Sequence, residues 1–287
     1  MKIVTDSAAD LAPADFTAFD ISVVPLYIQF PEGEIRSEDL THDEFYNRLE
    51  AMRPQIPTTG QPSPGNFSDL YRTLQGDGED ILSIHISSGL SGTVNAARIG
   101  ATQAREDHIH VVDSLTLSGG LRFQVIAAAR AIAAGWELSN ILAQLDRIRT
   151  ATEVAYTLDT LEYLARGGRI GRVQALASSV LNIKPIINVS KSDGKYNTVG
   201  KSRTISRALN DLTEHMASQY GEGEPLWVSV MHGRFEDKAN QLAEVIQSAL
   251  PVAKLEVLRI SPVLGVHTGP GIVGAAIVPM KFLEEIQ

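Results

Sequence analysis

Cysteine is absent from this chain of 287 residues. Its absence excludes disulfide bonds, thiolate catalysis and cysteine-ligated zinc sites. The N-terminal residues run directly into a strand pattern at Ile3, without the apolar core or cleavage site of a signal peptide. Apolar runs also fall short of the ~18 residues that a membrane span needs. We therefore expect a cytoplasmic protein with no stable membrane insertion.

An excess of basic residues is also missing. Lys and Arg total 25 against 34 Asp and Glu, which gives a formal net charge of -9 at pH 7. Nucleic-acid binding depends on Lys and Arg at phosphates, so this balance argues against a nucleic-acid partner. Hydrophobic residues make up 44% and charged residues 21%, which is typical of a folded protein. At roughly 100–200 residues per domain, the length predicts two domains.

Familiar catalytic motifs are lacking as well. The chain has no G-x-S-x-G elbow, no G-x-x-x-x-G-K-[ST] loop, no H-E-x-x-H motif and no dinucleotide-binding fingerprint. We therefore assign no catalytic residue, and we expect neither a metal nor another cofactor.

Strand and helix patterns alternate along the chain. Strands separated by helices predict an α/β fold with a parallel sheet and helices on both of its faces. We place an N-terminal α/β domain at residues 1–150 and a C-terminal α/β domain at 151–287. In the second domain, Ile186–Val189 and Tyr196–Val199 flank an Asp-Gly turn and predict a hairpin.

Several elements carry more specific signals. Thr41 and Glu44 have the spacing of a capping box at a helix start. Ile21–Phe30 is predicted as one strand, and Gln55–Gly65, which contains three prolines, as a stiff loop. Leu121–Ala134 is predicted as a mostly apolar helix that a glycine terminates.

The segment Ile86–Thr93 is a candidate anion site. A strand, a Ser/Gly loop and a helix start present free backbone N–H groups and the positive end of a helix dipole. Ser91 and Thr93 add hydroxyl donors. The same pattern is equally typical of a capped helix after a tight turn, and a P-loop is excluded because no Lys follows the glycine.

Two further loops could contact a ligand. Thr58 and Thr59 stand between prolines, which fits either a fixed pair of donors or a rigid connector. His267 falls in the glycine-rich segment Gly265–Gly271, predicted as a loop whose backbone could approach a ligand. A bound carboxylate would favour the protonated ring, so we expect binding to raise the His267 pKa and to take up protons near neutral pH.

Charged residues form two other candidate groups. Arg166–Arg172 holds three arginines in seven residues, with Lys201 and Arg203 further along. In an acidic chain this suggests recognition of an anionic group, although a solvated turn fits equally well. Asp6 and Asp113 follow predicted strands, where open α/β sheets usually place ligands. They could bind a metal, but such carboxylates more often accept hydrogen bonds from neighbouring loops.

Seven motifs, in order along nearly the whole chain, resemble those of the DegV family. They are Ile3-Val4-Thr5-Asp6-Ser7, Thr59-Gly60-Gln61-Pro62-Ser63-Pro64, Ser87-Ser88-Gly89-Leu90-Ser91-Gly92-Thr93, Val112-Asp113-Ser114, Gly167-Gly168-Arg169-Ile170, Leu181-Asn182-Ile183-Lys184-Pro185-Ile186 and His267-Thr268-Gly269-Pro270-Gly271. The resemblance implies two α/β domains with a long-chain fatty acid at their interface and its tail in a tunnel of the C-terminal domain. It also implies a binding protein without catalysis of its own. Such proteins serve as the binding subunit of bacterial fatty acid kinase, whose separate ATP-dependent subunit makes acyl-phosphate for phospholipid synthesis.

The resemblance also implies roles for individual residues. The carboxylate would be bound by Thr59, Ser91, Gly92, His267 and Thr268. Arg169 and Arg203 would lie near the opening and face the kinase subunit or its phosphates. Leu121–Ala134 and Val173–Leu181 are the expected tunnel walls. The chain departs from the family pattern at Gly60, where a serine is usual, so one hydroxyl donor is expected to be missing.

Two alternative functions stay open. The chain could be a metal-dependent phosphotransferase or hydrolase that acts on a small phosphate ester through Asp6 and Asp113. It could also carry a different apolar acid. The lack of cysteine and of clustered histidines argues against the first alternative.

Overall fold

The structure is a computed structural model, and its description covers most of the chain. The described residues are 1–76, 79–104, 106–174, 183–220 and 223–286. Most of the helix predicted for Val173–Leu181 lies outside them, as do Leu181 and Asn182 of the sixth motif.

The strands of the described residues form three sheets. They are β1 (Lys2–Asp6), β2 (Ile21–Val24), β3 (Tyr27–Phe30), β4 (Gly33–Arg36), β5 (Thr58–Gly60), β6 (Ile81–His85), β7 (Ile109–Asp113), β8 (Glu153–Leu158), β9 (Lys184–Val189), β10 (Tyr196–Ser202), β11 (Leu226–His232), β12 (Val252–Arg259) and β13 (Ile272–Pro279).

Helices separate most of these strands. They are α1 (Pro13–Ala18), α2 (His42–Ala51), α3 (Pro64–Gln75), α4 (Thr93–Gln103), α5 (Ser118–Ala133), α6 (Leu138–Ala151), α7 (Glu162–Arg166), α8 (Ile205–Ala217), α9 (Glu236–Ala249), α10 (Pro262–Thr268) and α11 (Lys281–Glu284). The predicted capping box is confirmed, because Thr41 accepts from the Glu44 N–H and the Glu44 carboxylate accepts from the Thr41 N–H.

The first sheet has the order β2-β1-β6-β7, and all of its strands are parallel. Both of its faces are buried, since Ile3 and the next residue, Val4, belong to two separate hydrophobic clusters. Helices α3 and α4 pack together against β6, and α5 packs against β1 and β6. The predicted parallel sheet with helices on both faces is therefore confirmed.

Helix α5 joins the first sheet to the second. It contacts β1 and β6 of the first sheet and β8, β11 and β13 of the second. It is buried on nearly every side, as a helix in the middle of a large core must be. The helix begins at Ser118, earlier than predicted, and Ser118 adopts a φ of 51°.

A buried arginine fixes the orientation of α5. The Arg122 side chain is 2% exposed, and its Nε donates to Asp15 Oδ2 on α1 at 2.6 Å. Its Nη1 pairs with Glu256 on β12. A buried guanidinium is tolerated only when it is paired and hydrogen-bonded, so these contacts tie α5 to both halves of the chain.

The second sheet is mixed, with the order β10-β9-β8-β13-β11-β12. The last strand, β13, lies in its middle, antiparallel to both β8 and β11. The predicted hairpin is confirmed as β9 and β10, with Gly194 at a φ of 63° in its turn. The domain boundary near residue 150 follows the last strand of the first sheet and stays a prediction.

A small third sheet, β4-β3-β5, corrects two predictions. Ile21–Phe30 is not one strand, because β2 belongs to the first sheet and β3 to the third. Pro25 lies between them and lacks the N–H that a continuous strand would use. Residues Thr58–Gly60, predicted as part of a loop, form β5 and pair with Tyr27–Gln29.

A glycine near the start of α5 allows its close approach to β13. A Cβ at Gly119 would lie 2.7 Å from the Ala276 Cβ. We expect Gly119→Ala to lower the free energy of unfolding by about 1–3 kcal/mol, because overpacking outweighs the better helix propensity of alanine. Urea denaturation followed by circular dichroism measures the change.

Gly65 supplies the matched control, since it occupies the same second position in α3. A Cβ there meets only the Ser63 Oγ, at an ordinary 3.6 Å. Gly65→Ala should raise the stability by about 0.5–1 kcal/mol. Equal signs for the two substitutions would contradict the close packing of α5 on β13.

Candidate functional site

A polar cavity of about 320 Å³ opens where the third sheet, the loop before α4 and helix α10 meet. Its lining includes Thr59, Gln61, Ser91, Arg169 and His267. These residues come from distant parts of the chain, and four of them were predicted as site residues. The fold therefore brings Thr59, Ser91, His267 and Arg169 to one place.

Thr59 and His267 are in direct contact. Their Oγ1 and Nε2 atoms lie 2.8 Å apart. Strand β5 positions Thr59 opposite the buried Ile28, on the inner face of the third sheet. Alternation along the strand therefore aims the Thr59 hydroxyl at α10.

His267 lies in a helix, so the predicted loop over Gly265–Gly271 is wrong in its first half. Helix α10 starts at Pro262, a residue favoured at the first helical position, and Gly269 follows its end at a φ of 72°. Gly265 lies inside this helix, and glycine is needed there because the Phe45 ring leaves no room for a Cβ. Proline followed by a terminating glycine was the signal that could have revealed this helix.

The His267 ring is neutral near pH 7. Burial lowers its pKa, and the positive charge of Arg169 lowers it further, to about 4. Nδ1 is buried without a hydrogen-bond partner among the described residues. An unpaired buried N–H is less tolerable than an unpaired acceptor, so we assign the proton to Nε2, which then donates to Thr59.

Ser91 presents a second hydroxyl to the cavity. Its Oγ accepts from the Thr93 N–H at 3.3 Å and lies 2.8 Å from the Thr93 Oγ1. If the fully buried Thr93 hydroxyl donates to Ser91, the Ser91 hydrogen is left to a ligand. Gly92, the N-cap residue that precedes α4, has no side chain and lets the Gln61 amide approach closely.

The loop that carries Ser91 is fastened to the second half of the chain. The Ser87 hydroxyl donates to the Gly194 carbonyl at 2.9 Å. A Cβ at Gly89 would lie 2.5 Å from the Asp193 carbonyl oxygen, so only glycine fits there. The hairpin turn of β9 and β10 thus holds this loop in place.

Two predicted residues lie away from this cluster. The Thr268 hydroxyl donates to the Leu264 carbonyl at 3.0 Å, and the residue lines a separate, apolar cavity. Arg203 is exposed just beyond β10, outside the lining of the polar cavity. Gly60 lines the cavity, but a Cβ there would point to Gln29 and Glu34 on the outer face of the third sheet. The donor expected to be missing at Gly60 would therefore point away from Thr59.

The apolar cavity adjoins the polar one. It is narrow, about 30 Å³, and lies between the start of α5, strands β8 and β13, and helix α10. Tyr196 and Leu264 line both cavities, so they mark the junction. Of helix α5, the first turn with Ser118 and Gly119 lines the cavity, rather than the predicted stretch Leu121–Ala134.

Positive side chains surround a further opening of about 390 Å³ beside the polar cavity. Arg169, Arg172 and Lys195 line it, and Arg169 is shared with the polar cavity. Arg172 also forms an ion pair with the Asp193 carboxylate. Of the predicted arginine cluster, Arg169 and Arg172 therefore line this opening, whereas Arg166 pairs with Glu162 and is outside its lining.

The carboxylates of Asp6 and Asp113 accept hydrogen bonds from backbone N–H groups of nearby loops. Asp6 accepts from the Ala8 and Ile86 N–H groups, and Asp113 accepts from the Ser88 and Leu115 N–H groups. This agrees with the prediction that such carboxylates satisfy loop donors. Within the described part of the chain, no group of three or more acidic or histidine side chains could hold a metal ion.

A buried polar chain around Asp6 was missed from the sequence. Asp6 Oδ2 lies 3.0 Å from His85 Nδ1, His85 Nε2 lies 2.7 Å from the Ser83 Oγ, and the Ser83 Oγ lies 2.8 Å from the Tyr71 hydroxyl. Ser83 and His85 share one face of β6, which their spacing could have indicated. Ser83 and His85 are fully buried, so these hydrogen bonds stabilise the first sheet, and Asp6 at their end lines a cavity at the carboxyl ends of β1 and β2.

The expectation that the chain lacks the glycine spacing of a dinucleotide fingerprint is wrong, because the glycines after α10 repeat that spacing, although without its structure. Gly269, Gly271 and Gly274 have the intervals of a dinucleotide fingerprint. They lead into strand β13, however, whereas that fingerprint opens a helix whose N-terminus binds the pyrophosphate. No dinucleotide site follows from them.

Solved structures of known proteins resemble this fold closely. A DegV family protein from Thermus thermophilus, described as fatty acid binding, has a TM-score of 0.90 and 32% identity, covering 97% of this chain and 99% of that one. A stearic acid-binding protein from Eubacterium ventriosum has a TM-score of 0.89 and 27% identity, covering 99% of both chains. In the described residues, no helix is long and apolar enough to cross a membrane.

Sequence comparison gives the same result. A DegV domain-containing protein from Deinococcus radiodurans is 36% identical over 280 residues, which is 96% of this chain and 95% of the relative. One from Clostridium perfringens is 34% identical over 278 residues, 96% of this chain and 98% of the relative. The DegV family model matches residues 1–280. As the seven motifs predicted, the chain belongs to the DegV family.

Proposed function

We propose that this protein binds one long-chain fatty acid and presents its carboxylate to an ATP-dependent kinase subunit. The observation that carries the proposal is the pair of adjacent cavities that share Tyr196 and Leu264, one containing the polar side chains of Thr59, Ser91 and His267 and the other almost wholly apolar. A fatty acid has the same division between head and tail. Relatives described as fatty-acid-binding proteins share the fold along nearly its whole length.

The carboxylate would be held by neutral donors. A buried carboxylate is strongly disfavoured unless it is hydrogen-bonded. The Thr59 oxygen accepts a hydrogen bond from His267, which leaves the Thr59 hydroxyl hydrogen to bond to the ligand carboxylate. The Ser91 hydroxyl donates a second hydrogen bond from the loop opposite. Arg169 lies in the same lining and adds a positive charge without needing to bind directly.

The tail would lie between α5 and the second sheet. Burial stabilises each methylene by ~0.8 kcal/mol, so an apolar cavity favours long chains. The cavity of about 30 Å³ is too narrow for a long acyl chain as it stands. Its walls, α5, α10 and the second sheet, must therefore separate to admit the tail, and the bound chain replaces the contacts that they lose.

Presentation to a kinase subunit is supported by the place where the carboxylate of the fatty acid would lie. The polar cavity shares Arg169 with an opening that Arg172 and Lys195 also line. A partner that brings ATP carries negative charge, and a positive rim favours its approach and orientation. The acyl carboxylate would then face the incoming phosphate.

Purified protein is expected to carry a fatty acid, and loss of either hydroxyl should weaken its binding. Thr59→Ala and Ser91→Ala each remove a donor to a charged group, worth about 1.5–3 kcal/mol, or roughly tenfold to hundredfold in affinity. Native mass spectrometry detects the ligand, and displacement of a fluorescent fatty acid measures the affinity.

Thr73→Ala is the control, because the Thr73 hydroxyl donates only to its own helix α3, at the Asp69 carbonyl. This variant should bind as the wild type does. Protein that is purified empty and refuses added fatty acids would refute the proposal, while a different bound apolar acid would redirect it to another carrier function.

The proton linkage of binding should appear in acid rather than near neutral pH. The His267 pKa of about 4 leaves the ring neutral in the empty protein, and a bound carboxylate raises that pKa. Binding should therefore take up protons only at pH values between about 4 and the raised pKa, and none at about pH 8. Calorimetry in two buffers of different ionisation enthalpy measures the uptake.

The variant Arg169→Ala provides a second test of the link between the His267 pKa and ligand binding. Removing the neighbouring positive charge should raise the His267 pKa in the empty protein, which NMR titration of the ring resolves. Proton uptake that persists at about pH 8 in the wild type would show that another group titrates with the ligand.

Arg169, which lines both the polar cavity and the opening beside it, is expected to serve transfer more than lipid binding. For Arg203, which is outside both linings, the same expectation rests on the family resemblance alone. Changing either to Ala should reduce acyl-phosphate formation with a cognate kinase subunit, while the affinity for fatty acid changes only a few-fold, because the neutral donors remain. Arg147→Ala is the control, since Arg147 pairs with Glu285 away from the rim. Weaker lipid binding with normal transfer of the bound lipid would reverse this assignment.

A further inference from the structure

A separate cavity, here called the second cavity, lies next to the apolar one, because Ser261 in its lining follows Ile260 in the lining of the apolar cavity. It measures about 390 Å³ and opens at the carboxyl ends of β1 and β2. Much of its wall is apolar, formed by Leu11, Phe16, Ile21, Val23, Leu40 and Pro262. The proposed binding of a fatty acid uses none of these residues.

Asp10 lines this second cavity and is held in an unusual conformation. The residue is 9% exposed and has a φ of 47°, in the left-handed region. Its Oδ2 accepts from the Ser118 hydroxyl at 2.6 Å, and its Oδ1 accepts from the Ser261 N–H at 2.8 Å. Burial raises the pKa of Asp10 to about 6, because the charged form of a buried carboxyl is disfavoured.

The partners of Asp10 belong to the walls of the apolar cavity. Ser118, the first residue of α5, lines that cavity directly. Ser261 is the residue just before α10. The preceding residue, Ile260, and Leu264 within α10 both line the apolar cavity. On the other side, Ser261 and Asp10 line the second cavity. The Asp10 carboxylate therefore joins two walls at the place where they separate the cavities.

From this arrangement we infer that Asp10 closes the inner end of the acyl cavity and limits the length of the chain that it accepts. The inference rests on the proposed binding of a fatty acid. Admission of the tail requires α5 and α10 to move apart, and the Asp10 bridge restrains that movement at their starts. Without the bridge, the terminal methylenes of a longer chain gain access to the apolar wall of the second cavity.

Removal of the Asp10 side chain tests the inference. Asp10→Gly removes the bridge without backbone strain, since glycine adopts a positive φ freely. Asp10→Asn keeps it, because asparagine tolerates the left-handed conformation, its carbonyl accepts from Ser261, and its amide donates to the Ser118 oxygen. The affinities for myristic, palmitic, stearic and arachidic acid are measured by displacement of a fluorescent fatty acid.

In Asp10→Gly, the longest chain accepted should grow by two or more methylenes. The ratio of affinities for arachidic over palmitic acid should then rise by roughly tenfold or more. Asp10→Asn should restore the wild-type ratio. Glu153→Gln is the matched control, because Glu153 is also a buried carboxyl that accepts hydrogen bonds, from Asn188 and His215, but it lines neither cavity and does not pair with α5 or α10. Its ratio should stay at the wild-type value.

Other outcomes decide against the inference. An unchanged ratio in folded Asp10→Gly overturns it while leaving the proposed function intact, as does an equal rise in Glu153→Gln. Wild-type protein that binds none of the four acids overturns the proposed function and this inference together. Should Asp10→Gly fail to fold, Ser118→Ala removes one of the two bonds and is judged by the same ratio.

Discussion

The packing of helix α5 between the first and second sheets determines where a ligand can lie. The helix is buried on nearly every side, and Arg122 pairs with carboxylates from both halves of the chain. Its first turn also forms a wall of the apolar cavity. A change that displaces α5 would therefore disturb the two sheets and the proposed tail site at the same time, which ties stability to ligand capacity in this fold.

Local signals predicted much of the fold. The capping box at Thr41 and the Asp-Gly hairpin are both confirmed, because each depends on residues close together in the sequence. Strand β5 is a different case, since three residues between prolines become a strand only by pairing with β3. The mixed order of the second sheet likewise depends on β13, which inserts between β8 and β11 from the end of the chain.

The candidate site was partly predictable for the same reason. Motifs identified Thr59, Ser91, Arg169 and His267, and the fold places all four in one cavity. Their chemistry depends on tertiary surroundings that no motif contains. The depressed His267 pKa comes from burial and from Arg169, and it moves the expected proton uptake from neutral to acidic pH. Likewise, the bridge formed by Asp10 depends on two serines distant in sequence, so no pattern could indicate it.

The contact between Thr59 and His267 spans 208 residues. Contacts between residues so far apart form late in folding, because closing the loop costs conformational entropy before the contact can stabilise the chain. During synthesis, strand β5 leaves the ribosome long before α10 exists, and the Ser91 loop must also wait for the hairpin turn at Gly194. A nascent chain therefore has no complete set of donors until its last strand is nearly made. For the proposed function, this means that the carboxylate site is assembled only after α10 has been made.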